Sequence, residues 1–94
     1  MKKIDPPGPR LSAFALLSET VRADQREGDI GMQLGEIAKA NPEVAIGSYP
    51  FFDPQHGANT NVVLGAHDAQ KLAQAKRAVE EMLERVRRAQ SKRS

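Results

Sequence analysis

The chain has 94 residues, 39% apolar and 28% charged, with a formal charge of +2 and no cysteine. That length fits one small domain burying roughly 60–65% of its unfolded surface, and the lack of cysteine excludes disulfides and thiolate metal centres. No apolar run approaches the ~20 residues of a membrane-spanning helix, and LSAFALL behind Pro6, Pro7 and Pro9 is short for a signal peptide, so a cytoplasmic protein without a membrane partner is expected.

Residues 1–10, MKKIDPPGPR, are predicted to be an extended lead-in, because three prolines and Gly8 forbid regular structure. One domain is expected over residues 11–87. It opens with a strand over 11–23, LSAFALLSETVRA, in which Leu17 and Val21 share one side and Ser18, Thr20 and Arg22 the other. Glu19 interrupts the apolar side, which leaves the buried face of this strand open, and LSAFALL is equally helical by composition. DQREG is a polar turn. Asp29 is placed to cap a helix over 30–40, where Ile30, Leu34, Ile37 and Ala38 recur at helical spacing. Asn41 and Pro42 end that helix. Gly31 and Gly35 weaken it by up to ~1 kcal/mol each relative to alanine, so a closely packed neighbour is expected against them.

VAIGSYPFF is the second strand and NTNVVLGA the third, joined through the turn DPQHGAN. Gly47, Ser48 and Pro50 suit a strand interior poorly, which places the second strand at an edge or at a bulge. Asp68 opens a last helix with one apolar stripe of Leu72, Ala75, Val79, Met82, Leu83 and Val86. Residues 88–94 are expected to form a disordered basic tail. The fold class is therefore α/β, as a two-layer α+β sandwich of order βαββα. Its three-stranded sheet is expected to be mixed, with the first two strands parallel through a right-handed crossover and both helices on one face.

Chemistry-bearing residues are sparse. His56 and His67 belong to no ligand spacing, and Ser12, Ser18 and Ser48 lack a nucleophile elbow. Glu80, Glu81 and Glu84 lie off the apolar stripe and read as a solvated face. No catalytic residue, cofactor or metal ligand is predicted. REGDIG contains a literal GxxG at Gly28 and Gly31, the loop pattern of nucleic-acid-binding KH domains. Asp29 between the glycines opposes phosphate binding, and a glycine turn before a helix is the plainer reading. Arg85, Arg87 and Arg88 begin an unbalanced basic end, which can attract nucleic acid or simply complement the helix dipole. The stretch IGSYPFFDP concentrates Tyr49, Phe51 and Phe52, three of the four aromatic residues. Alternation sends Tyr49 and Phe51 to one side of the strand and Phe52 to the other unless a bulge resets the register. These rings either complete the core or form a docking patch on the open sheet face.

The segments LSETVRADQREGDIGMQLGEIAKANPEVAIGSYPFF and NTNVVLGAHDAQKLAQA resemble the C-terminal part of the molybdopterin-binding-like region in competence/damage-inducible protein A (CinA) homologues, over about residues 16–84. The same segment appears in the related front half of some FAD synthetases. The resemblance implies a small KH-type α/β module beside a nucleotide-processing domain. That domain's catalytic and molybdopterin-like motifs have no counterpart in this chain. The expected function is that of a non-catalytic accessory module acting by protein contact, with a separate CinA-like catalytic domain or with itself as a homodimer. Two alternatives are a single-stranded nucleic-acid-binding module and a relic that binds a nucleotide or pterin; nucleic acid is the less expected partner.

Overall fold

A computed structural model describes residues 16–93. The elements run β1 (Leu17–Arg22), α1 (Glu27–Ala40), β2 (Ala45–Asp53), β3 (Gly57–Ala66) and α2 (Ala69–Arg93). The βαββα order holds, but the sheet is not mixed. Its strand order is β1-β3-β2, and both neighbouring pairs are antiparallel. β1 and β2 do run parallel to each other, as expected, yet β3 lies between them. The reason is burial: NVVLGA is apolar on both faces, which suits a central strand, whereas LSETVR and the proline-bearing β2 suit edges.

The register settles which face each residue takes. Leu17, Glu19 and Val21 lie opposite Ala66, Leu64 and Val62, and Ile46 and Ser48 lie opposite Leu64 and Val62 from the other side. This face meets the helices. Val62 and Leu64 are fully buried against Ile30 and Leu34 of α1 and Leu72, Ala75, Val79, Met82 and Leu83 of α2. Glu19 is tolerated on the apolar side because β1 is an edge and its carboxylate accepts from Lys76 Nζ at 3.1 Å.

α1 begins earlier than expected. Arg26 is its N-cap and makes no side-chain capping bond, while Asp29 sits inside the first turn, where its charge still favours the positive helix end. Gly28, Gly31 and Gly35 all lie within this helix. Apart from the local helix backbone, no atom comes within 4 Å of where a Cβ would stand on any of them, so the expected close neighbour is absent among the described residues. Asn41 ends the helix as expected, its Nδ2 donating to the Ile37 carbonyl at 2.9 Å.

β2 is an edge strand whose register runs unbroken through Pro50 opposite Thr60, so there is no bulge. Asp68 caps α2, its Oδ1 accepting from the amides of Gln70 at 2.8 Å and Lys71 at 3.1 Å. The helix then continues through Arg93 rather than giving way to a tail at residue 88. Residues 1–15, which hold the expected lead-in and the first part of the expected strand, lie outside the described residues.

The two helices lie antiparallel over the sheet. Lys71 at the start of α2 pairs with Glu43 just beyond α1. At the other end Gln90 of α2 meets Gln25 just before α1.

Candidate interaction surface

The face away from the helices has no cover among the described residues. Across it, Thr20, Val63 and Gly47 form one row, and Arg22, Asn61 and Tyr49 the next, followed by Asn59 and Phe51. Two glycines on this face make room for side chains to lie flat. The Tyr49 ring folds back along its own strand, with Cε1 3.1 Å from where a Cβ on Gly47 would stand. Leu16 lies over Gly65 in the same way, its Cδ2 3.1 Å from the corresponding position. A methyl group at either glycine would press on its neighbour, which would have to give slightly. Leu16 and Tyr49 each remain 59% exposed, and Phe51 and Val63 are half-buried. The result is a flat-centred face on which Leu16, Val63, Tyr49 and Phe51 lie among the polar Thr20, Arg22 and Asn61.

One end of this face is closed by charge. Arg22 reaches from β1 across β3, its guanidinium 5.6 Å from the Phe51 ring centroid, a cation–π distance. Its Nε donates to Asp24 Oδ1 at 3.1 Å, and its other end pairs with Asp53. Asp24 has φ 55, a left-handed conformation that aspartate tolerates. Asn59 Nδ2 donates to it at 3.2 Å, and that bond, assisted by Arg22, holds the Asp24 carboxyl below its ordinary value. Asp53 is lowered to about 2, first by the Gln55 backbone N–H and then by His56 and Arg22. Arg22, Asp24, His56, Ala58 and Asn59 border an open depression of about 620 Å³. Arg22 bridges Asp24 and Asp53 there and so clamps the sheet end, one cation between two carboxylates.

The aromatic residues divide as alternation predicts. Tyr49 and Phe51 share the open face. Phe52 lies on the opposite side, opposite Ala58 near the hairpin turn, and is 75% exposed, because the helices do not reach that far. None of the three is in the buried core.

The residues considered for nucleic acid fall elsewhere. Gly28 and Gly31 are helical, so they form no loop between elements. Arg85 borders a groove of about 440 Å³ between the helices with Glu36, Ile37 and Val86. Arg87 lies 3.6 Å from Glu84, and Arg88 is exposed. The open-face members Leu16, Val63, Gly47 and Gly65 had no part in the expected patch. The alternation Asn61, Val63, Gly65 in β3 was the available signal for two of them.

Comparison with protein families gives a match to the model of FAD synthase, middle domain, over residues 15–90. No curated protein and no solved structure gives a match. The match overturns the expected membership in the CinA family and with it the KH-type label. The segments behind that resemblance occur in FAD synthetases as well, so they could not separate the two families.

Proposed function

The chain belongs to the FAD synthase middle-domain family, and from that membership we propose that it is a non-catalytic module whose open sheet face docks onto another domain of a FAD synthase. The observation that carries this reading is the face itself. Leu16, Val63, Tyr49 and Phe51 make an apolar surface on the side the helices leave bare. An antiparallel sheet can leave one face to water, but exposed apolar side chains gathered on that face mark an interaction site. A family defined as the middle part of a larger enzyme supplies candidate partners.

The polar side chains near the sheet are engaged with one another. His56 Nδ1 lies 3.1 Å from Asp53, and Ser48 Oγ donates to Glu27, so each is held in a structural contact. Among the described residues no group of three or more His, Cys, Asp or Glu is placed to hold a metal.

Calorimetric titration of the chain with the remaining domains of the FAD synthase from the same genome tests the reading. Tyr49→Ser and Phe51→Ser should each weaken the contact about tenfold or more, as expected when an aromatic anchor is lost, with the far-UV spectrum unchanged. The chain alone should not hydrolyse FAD or ADP-ribose. Undiminished affinity of both variants would contradict the docking face. Salt-sensitive binding of single-stranded RNA that depends on Arg85, Arg87 and Arg88 would favour a nucleic-acid module instead.

A further inference from the structure

The two edges of the sheet are not equivalent. In an antiparallel ladder the N–H and C=O of one residue point the same way, and successive residues alternate. The Ala23 amide donates to the Thr60 carbonyl at 2.8 Å, so Thr60 directs its backbone groups toward β1. Alternation then fixes every other position through the register. Leu17, Glu19 and Val21 bond to β3, while Ser18, Thr20 and Arg22 point their amides and carbonyls out of the sheet. On the far edge the outward residues are Ile46, Ser48, Pro50 and Phe52. Pro50 has no N–H, which explains why it is tolerated there and also blocks that edge from accepting a strand.

Among the described residues the β1 edge is thus unpaired and continuous while the β2 edge is interrupted at Pro50, which favours a closed dimer over an open polymer. We infer that the outer edge of β1 pairs antiparallel with β1 of a second copy, with Thr20 opposite Thr20 at a two-fold axis. The sequence of the strand selects this register. Backbone bonds form only where outward residues oppose outward residues, which requires Ser18, Thr20 and Arg22 to face one another. Centring on Thr20 places Ser18 opposite Arg22 and Glu19 opposite Val21, and uses all of β1. Centring on Glu19 would set two carboxylates directly opposite, which is destabilising. Centring on Val21 would leave fewer outward residues paired.

The surroundings fit a second copy. The Arg22 side chain leans inward over β3 to Phe51 and Asp53, clear of the edge. Above β1, Ala69 and Ala73 of α2 border an open depression of about 340 Å³ with Leu17 and Ser18, so no bulky side chain of α2 overhangs this part of the edge. Equal parity of the paired residues puts both open faces on the same side, so pairing yields one six-stranded sheet with a doubled docking surface. This goes beyond the docking reading and uses the backbone edge of β1 rather than the open face.

The test is sedimentation equilibrium of the full chain at high micromolar concentration, with Thr20→Pro and Thr20→Cys. The wild type should be dimeric. Thr20→Pro removes an outward N–H and no bond to β3, so the variant should be a folded monomer. The chain has no cysteine of its own, and Cα atoms across a hydrogen-bonded antiparallel pair stand about 5.5 Å apart, within disulfide reach. Thr20→Cys should therefore oxidise to a covalent dimer, and should still do so in a Tyr49→Ser background that weakens domain docking. If Thr20→Pro fails to fold, the Thr20→Cys cross-link decides. A monomeric wild type, a dimeric Thr20→Pro, or a Thr20→Cys that does not cross-link would each overturn the proposal. Failure of Tyr49→Ser to weaken domain docking would count against the docking face alone.

Discussion

Gln25 and Gln90, 65 residues apart, exchange two amide hydrogen bonds: Gln25 Nε2 donates to Gln90 Oε1 at 3.1 Å, and Gln90 Nε2 donates to Gln25 Oε1 at 2.8 Å. Gln25 is only 6% exposed, at the turn that leads from β1 into α1. The pair ties the far end of α2 to the start of α1, and it makes the C-terminal turns part of the fold. Deleting residues 88–94 should therefore destabilise the domain rather than trim a loose end. An unpaired buried amide costs about 1–3 kcal/mol, which lowers the melting temperature by about 4–8 °C per kcal/mol in a domain this small. Gln90→Ala should reproduce most of the loss in a thermal melt, and an unchanged melting temperature in both would show the pair to be idle.

The aromatic strand should respond unevenly to substitution. Phe52→Ser, at 75% exposure, should change stability by no more than about 0.5 kcal/mol. Leu64→Ala, fully buried in the central strand, should cost about 2–5 kcal/mol. Urea denaturation of the two variants gives the comparison directly.

Asp53 gives the domain an acid limb. Its carboxyl titrates at about 2 in the folded state, chiefly through the Gln55 amide, and near 3.9, roughly, when unfolded. A folded value below the unfolded one means stability that is present above the unfolded pKa and lost as pH falls through the folded pKa. Melting temperature should drop between about pH 4 and pH 2, and Asp53→Asn should flatten that drop. An equally steep acid limb in the variant would assign it to other carboxylates.

Thr60 is fully buried, and its Oγ1 has no hydrogen-bond partner among the described residues. Its backbone N–H is already taken by Asn59 Oδ1 at 2.7 Å. Thr60→Val removes the stranded hydroxyl at nearly constant shape, and should stabilise the domain by about 1 kcal/mol. A clear loss of stability on denaturant melting would mean that the hydroxyl is satisfied.

Much of the fold was legible because it depends on local pattern. The stripe from Leu72 to Val86, the cap at Asp68, the stop at Asn41 and Pro42, and the edge position of Pro50 all come from spacing or from backbone chemistry at one residue. The order of the strands was not. A crossover rule gives the relative direction of β1 and β2, but their separation by β3 depends on which long-range pairing buries more, and only the two-faced apolar character of NVVLGA hinted at it. The start of α1 was missed because its cap, Arg26, makes no side-chain capping bond, while Asp29 carries a stronger cap signal three residues too late. For the candidate surface, alternation correctly put Tyr49 and Phe51 together. Leu16 over Gly65 and Arg22 over Phe51 could not be foreseen, since each joins side chains from different strands. The Gln25–Gln90 pair left no trace in sequence spacing at all.

The central claim is that the open sheet face is the working surface, and it is tested most directly by mapping where a partner lands. An amide NMR spectrum of the labelled chain, titrated with the remaining domains of the FAD synthase, should shift at Thr20, Gly47, Tyr49, Phe51, Asn61, Val63 and Gly65 while α1 and α2 stay quiet. Shifts confined to the helices, around Gly28, Gly31, Arg85 and Arg87, would contradict the account.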